Sequence, residues 1–152
     1  MRTLELRVPP VAVVVIFAAA MTVLALATPT EVRVPGRRFV AVAFVLAGIA
    51  VAVAGLMSFR RRRTTVNPFT PERTSALVDT GIYRFSRNPM YLGFLLALLG
   101  WCVFLASWAA ACLLPAFVAY MNRFQILPEE RALAERFGTR FLDYSAAVRR
   151  WL

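Results

Sequence analysis

Two short stretches of this sequence carry residue types that can do chemistry. Arg87-Asn88-Pro89-Met90-Tyr91 puts a cation, an amide and a phenol at the edge of a long apolar run. Pro128-Glu129-Glu130 puts two carboxylates just past the far end of that run. In the first stretch, Asn88 suits a helix N-cap and Pro89 the first helical position. The amides of Met90 and Tyr91 then lack intrahelical acceptors, and Asn88 can serve one of them. With Arg87 beside them they form a place for a carboxylate or a phosphate. Tyr91 adds a hydroxyl and an aromatic face on which a cation or sulfonium can rest. Gly93 allows something to approach the helix backbone closely. Glu129 and Glu130 can accept hydrogen bonds from an ammonium or from ribose hydroxyls.

Each stretch also has a plain structural reading. An arginine at a membrane surface snorkels, and tyrosine favours the interface. Two glutamates in the first turn of a helix complement its dipole. Taken alone, each stretch fits the structural reading better. The chemical reading gains only if the fold brings the two together, so the elements that carry them matter.

Composition bounds those elements. The chain has 152 residues, room for one domain, with 60 % hydrophobic and 17 % charged residues. A soluble domain is less apolar and more charged, so the balance points to a membrane protein. All 18 basic residues are Arg, and the formal net charge is +10. Apolar runs separate the Arg clusters, which fits membrane flanks rather than a nucleic-acid surface. A basic chain without Lys suggests a GC-rich bacterial genome. The absence of His removes the commonest general base and metal ligand. Cys102 and Cys112 lie in apolar runs without CxxC spacing and read as small hydrophobes. Neither a disulfide nor a metal is expected.

The hydropathy pattern predicts an all-α integral membrane protein with four transmembrane helices. The spans are about 8–28, 39–59, 89–107 and 109–127. Halved, the long third apolar region gives two arms of about 29 Å each at roughly 1.5 Å per residue. The turn of this C-terminal hairpin falls near Ser107-Trp108, and Pro115 should kink the returning helix. The first run also has features of a signal peptide, with Ala25-Leu26-Ala27 as a cleavage site, but its apolar stretch favours a retained span. Gly48, Ala52 and Gly55 share one face of the second span and predict close packing on a neighbour. Pro29, Pro35 and Gly36 break the loop between the first two spans. Arg60 to Arg63 end the second span. A turn-rich loop of residues 60–88 follows, with Asn67-Pro68 and Thr70-Pro71. Phe69, Leu77, Val78, Ile82, Tyr83 and Phe85 should order it on the membrane surface. The tail, 128–152, reads as two amphipathic helices. Pro128 to Phe137 is a short surface helix stopped by Gly138, and Arg140 to Trp151 carries an apolar stripe of Phe141, Tyr144, Val148 and Trp151. Arg33, Arg37 and Arg38 mark the first loop. The seven Arg of the second loop outweigh them, which puts that loop and both termini in the cytoplasm of a multi-pass inner-membrane protein.

This topology makes the two stretches meet. The third and fourth spans leave and return to one face, so Arg87 to Tyr91 and the glutamate pair emerge together. A carboxylate, an ammonium, a sulfonium and a ribose would all find partners there. S-adenosylmethionine carries all four. A nucleotide phosphate would satisfy the first half equally.

Leu77 to Gly93, LVDTGIYRFSRNPMYLG, and Glu129 to Trp151, EERALAERFGTRFLDYSAAVRRW, closely resemble the isoprenylcysteine carboxyl methyltransferase and phospholipid methyltransferase superfamily. Members share T-G-x-Y, R-H/N-P-x-Y-x-G, a span pair, then E-E-x-x-L and F-G-x-x-Y/F. The likeness covers about residues 64 to 152. It implies methyl transfer from S-adenosylmethionine to a lipophilic or membrane-associated small acceptor, with membrane lipid around it. The family motif maps onto Tyr83, Arg87, Asn88, Pro89, Tyr91, Gly93, Glu129 and Glu130 as cofactor-binding residues. Arg87, Asn88 and Tyr91 are the candidate catalytic residues. By this likeness Arg87 and the helix start hold the methionine carboxylate, the glutamates take the amine or ribose, and Tyr91 lies near the sulfur. The acceptor would enter between the second and third spans. Asn88 stands where many members have His, and an amide is no base near neutral pH. A carboxylate acceptor needs no base; an amine or thiol does. Two other classes stay open: an NADPH-dependent membrane reductase of the steroid or sterol type, and a non-enzymatic small membrane protein. Paired carboxylates speak against a phosphate-rich ligand. A lack of polar residues in mid-span speaks against transport.

Overall fold

A computed structural model describes residues 5–28, 35–61 and 77–152. The expectations that rest on Pro29, Arg33, Arg62, Arg63, Asn67-Pro68, Phe69 and Thr70-Pro71 lie outside the described residues. Among the described residues the protein is all helical. The elements are α1 (Pro10–Ala27), α2 (Arg37–Arg61), a 3-10 turn (Gly81–Arg84), α3 (Pro89–Leu105), α4 (Trp108–Ala111) and α5 (Leu113–Met121). A π turn (Asn122–Ile126), α6 (Leu127–Phe137) and α7 (Thr139–Ala147) complete it.

Among the described residues, three helical runs are long and apolar enough to cross a membrane: Pro10–Ala27, Arg37–Arg60 and Trp108–Phe137. α3 is equally apolar but has 17 residues. Val11, Val15, Ile16 and Val23 of α1, and Val42, Leu46, Ile49 and Val53 of α2, are exposed. A helix apolar all round with exposed valines and leucines is built for lipid rather than water.

α3 is the central strut. α2 lies along one side of it through a seam of small residues. A methyl group added at Gly48 would sit 2.5 Å from the Gly93 carbonyl oxygen and 3.0 Å from the Ala97 nitrogen. One added at Gly93 would meet the Gly48 carbonyl oxygen at 2.5 Å and the Ala52 Cβ at 2.9 Å. Gly100 meets Ala41 in the same way, and Gly55 packs on Met90 and Pro89. The predicted small-residue face of α2 is therefore its contact with α3. In lipid, where no hydrophobic effect drives helices together, such close backbone approach supplies the packing.

α1 covers the other side of α3. Val13 and Met21 join Leu98, Cys102, Phe117 and Met121 in the core. Phe17 meets Phe117 edge to face at 5.4 Å. The Trp101 indole donates to Thr22 Oγ1 (3.1 Å) and to the Ala18 carbonyl (3.2 Å). The first apolar run is thus woven into the core.

After α3 the chain turns through Ala106, in the left-handed region at φ 50°, and Ser107, whose hydroxyl accepts from the Ala110 amide. This is the turn expected near Ser107-Trp108. Pro115 has no N–H for the carbonyl four residues back, and the helix is interrupted between Ala111 and Leu113.

The helix after Met121 differs from the expectation. Pro128 does not open a separate surface helix, because Ile126 is already helical at φ −68°, ψ −49° and the run is continuous to Phe137. Glu129 and Glu130 therefore continue an existing helix instead of capping a free N-terminus. A proline inside a helix is tolerated here because a π turn precedes it and redirects the backbone. The last helix also ends early. α7 stops at Ala147, and Val148 is extended at φ −120°, ψ 132°. Its final residues are drawn off by hydrogen bonds to the segment before α3.

Candidate active site

The approach to α3 is set by a short turn. Gly81 holds φ +65°, in the left-handed region that favours glycine, and opens the 3-10 turn Gly81–Arg84. Tyr83 in this turn is buried, with its ring edge-on to Phe59 of α2 at 5.5 Å. The Tyr144 hydroxyl of α7 donates to the Tyr83 carbonyl at 2.8 Å. Loop residues Leu77 and Val78 are buried as expected, whereas Phe85 is exposed.

Asn88 precedes α3, but its side chain does not cap the helix. Its amide donates instead to the Arg150 carbonyl at 3.0 Å, and its own N–H donates to Ser86 Oγ at 3.1 Å. The expected side-chain cap is not formed: Nδ2 bonds the tail carbonyl, and Oδ1 takes no amide of the first turn. Pro89 takes the first helical position as expected and is buried.

Two pairs join the start of α3 and the segment just before it to α6. The Tyr91 hydroxyl donates to the Glu129 carboxylate, a contact between a buried phenol and a partly buried glutamate. Arg87 Nη2 lies 3.0 Å from Glu130 Oε1, with side-chain exposures of only 13 % and 16 %. Arg150 completes the cluster from the tail. Its Nη2 donates to Glu130 Oε2 at 2.6 Å and its Nε to Oε1 at 3.2 Å. Arg87 Nη1 donates to the Ser145 carbonyl at 2.8 Å, while Arg87 Nε is buried without a partner. The two guanidinium groups share the Glu130 carboxylate, and a second glutamate, Glu129, stands beside it. The partnerless Arg87 Nε is a donor from which a ligand carboxylate can accept.

Residues 149 and 150 hydrogen-bond to the first stretch, and Arg150 also to the second. The Arg87 amide donates to the Arg149 carbonyl at 3.0 Å. The Trp151 indole donates to Asn122 Oδ1 of the π turn at 3.0 Å. Arg150, Trp151 and Asn122 were not among the sequence-derived candidates. The doublet Arg149-Arg150 reads as an ordinary basic tail, and nothing in its spacing pointed inward.

Burial raises the Tyr83 phenol far above its ordinary range, helped by the nearby Tyr144 and Glu129. Burial also raises Tyr144, against the lowering influence of Arg87. Both phenols stay neutral at any working pH, so they act as hydrogen-bonding and packing groups.

Gly93 sits differently from its expected use. The neighbour it admits is α2, whose Gly48 fills the space at its Cα. At Gly48 and Gly93 the two helices are in backbone contact. An open apolar groove of about 530 Å³ lies instead between α3 and α5, lined by Leu95, Leu99, Leu114, Val118 and Ala119 and ending at Asn122. The structure thus brings together Tyr83, Arg87, Asn88, Pro89, Tyr91, Glu129 and Glu130, and assigns Gly93 to the helix seam.

An all-helical membrane protein with a buried polar cluster at the junction of α3, α6 and the tail is the class this geometry defines. A profile of the phospholipid methyltransferase family matches residues 36–140, and the chain belongs to that family. It is similar to Protein-S-isoprenylcysteine O-methyltransferase A of Arabidopsis thaliana, 32 % identical over 107 residues. That alignment covers 68 % of this chain and 53 % of the plant protein, so the chain spans about half of that relative's length. An uncharacterized protein of Haemophilus influenzae is 41 % identical over 63 residues, 41 % of this chain and the whole of that protein. No solved structure matches the chain.

Proposed function

We propose that this protein transfers a methyl group from S-adenosylmethionine to a lipophilic or membrane-associated small acceptor. The observation that carries the reading is the double junction of Tyr91 with Glu129 and Arg87 with Glu130 in a member of this family. The residues present fit the cofactor. The guanidinium donors of Arg87 and Arg150, and the partnerless Arg87 Nε above all, suit a carboxylate. Glu129 and Glu130 suit an ammonium or ribose hydroxyls, and the Tyr91 ring suits a sulfonium. When bound, S-adenosylmethionine supplies the methyl group on its positively charged sulfur.

The chain's own part is positioning. Arg87 releases Glu130 to meet a ligand carboxylate, and the Tyr91–Glu129 pair holds the floor of the site. The groove between α3 and α5 offers the acceptor's apolar part a way in from lipid, in place of the expected entry beside α2. Bringing the nucleophile in line and about 3–3.5 Å from the methyl carbon is the main catalytic contribution. Asn88 contributes hydrogen bonds and no base, which suits an acceptor carboxylate best. α3, at 17 residues, makes a fourth and short span, with the site and both termini on the cytoplasmic side. The paired glutamates and the family match disfavour a reductase or a non-enzymatic role.

Calorimetric titration of the purified protein with S-adenosylhomocysteine, and separately with NADPH, tests this. Binding of the first with no binding of the second is the expected result. Binding of NADPH alone would overturn the proposal.

A further inference from the structure

The residues before α1 lie across the π turn that precedes the glutamate pair. The Glu5 carboxylate bridges Arg123, at 2.7 Å, and Arg131. The Leu6 amide donates to the Phe124 carbonyl at 3.0 Å. Gln125 Nε2 donates to the Val8 carbonyl at 2.8 Å.

Each contact answers a need of the π turn. Phe124 stands four residues before Pro128, which has no N–H to offer its carbonyl. Leu6 supplies that donor from the other end of the chain, and holds φ 57° in doing so. That conformation is costly for a leucine and persists only where the surroundings enforce it. Gln125 is fully buried, so its amide needs partners inside the protein. Arg123 lies in the π turn and Arg131 beyond it, with Glu129 and Glu130 between them. A π turn adds one residue, which rotates everything after it by about 100°. With a regular helix in its place, Glu129 would point away from Tyr91.

We infer that Glu5 is a positioning residue: the strap Glu5–Val8 locks the π turn and thereby aims Glu129 at Tyr91 and Glu130 at Arg87. Glu5 touches neither pair and acts through Arg123 and Arg131. The effect on ligand binding rests on the proposed function; the control of the turn does not.

Two measurements on the full chain in lipid nanodiscs separate these. The first is hydrogen exchange over residues 122–131 and, as a reference, over α3. The second is calorimetric affinity for S-adenosylhomocysteine. Glu5→Gln should speed exchange across 122–131 by about fivefold or more, leave α3 unchanged, and weaken affinity about fivefold. Glu5→Asp, which keeps the charge, should recover most of both. Unchanged exchange at 122–131, or a uniform rise across the protein, overturns the inference. Faster local exchange with unchanged affinity overturns the positioning role. If the wild-type protein binds no S-adenosylhomocysteine, the methyltransferase reading falls, and the exchange comparison alone decides whether the strap locks the turn.

Discussion

The Tyr91 hydroxyl donates to Glu129, tying the first turn of α3 to the helix that returns past it. Tyr91 is buried and Glu129 partly so, and the phenol cannot exchange this partner for bulk water without moving. The hydrogen bond is therefore a structural joint and a part of the candidate site at once.

Tyr91→Phe removes the donor and leaves a partly buried carboxyl group short of a partner. The expected cost is about 1–3 kcal/mol of stability. Thermal unfolding in detergent would register it, and Tyr91→Phe with Glu129→Leu should recover part of the loss. Equal melting of Tyr91→Phe and wild type would show that the joint carries no weight.

Arg87 and Glu130 should be coupled. Arg87→Ala leaves Glu130 with Arg150 alone, and Glu130→Gln leaves two guanidinium groups facing each other. A double-mutant cycle on S-adenosylhomocysteine affinity should give an interaction energy of about 0.5–3 kcal/mol. Strictly additive effects would mean that the pair is not shared with the ligand.

The α2–α3 seam should tolerate no side chain. Gly48→Val puts a branched carbon where only 2.5 Å separates a Cβ from the Gly93 carbonyl oxygen. Because the obstacle is backbone, the helices must separate, at a cost of about 3 kcal/mol or more, the upper end for overpacking. Cysteine cross-linking between α2 and α3 would reveal the separation. Gly36→Ala meets no neighbouring atom within 4 Å, and its cost should come from its positive φ alone.

The N-terminal strap should loosen in acid. A hydrogen bond from Arg123, with the charge of Arg131, holds the Glu5 carboxyl below its ordinary value of 4.5, outweighing desolvation. Folding thus favours the charged form. The contribution is complete above about pH 4.5, and it is lost as the pH falls through the lowered folded value. Exchange at Leu6–Val8, corrected for the intrinsic rate, should rise at low pH in the wild type. In Glu5→Gln it should already be raised at neutral pH and show no such step. A step of equal size in the variant would assign it to another group.

Much of the scaffold was legible because its causes are local. Uncharged runs of spanning length, Pro89 as a helix start, the turn at Ser107 and the interruption ahead of Pro115 follow from short-range rules. The small face of α2 was legible too, since Gly48, Ala52 and Gly55 recur at helical spacing. The π turn was not. The stretch Asn122 to Ile126 looks like any polar end of a span, and Pro128 looks like a helix start. Arg150 and Trp151 were hidden for a related reason, because a periodic apolar stripe extended the helix past Ala147 on paper.

By itself, the sequence determined that the chain is helical and lipid-facing, and that Arg87 to Tyr91 and Glu129-Glu130 should draw near each other. Hydropathy and backbone preference are properties of neighbours in the chain. Only the tertiary structure decided which charge each residue meets. Arg87 faces Glu130 with Arg150 beside it, Asn88 is held by the tail, and Gly93 is taken up by α2. The pairing with Glu130 depends on the rotation of α6, which follows a π turn whose Phe124 carbonyl accepts from the distant Leu6 amide. Buried polar groups must be satisfied somewhere, but where is settled by packing between distant segments.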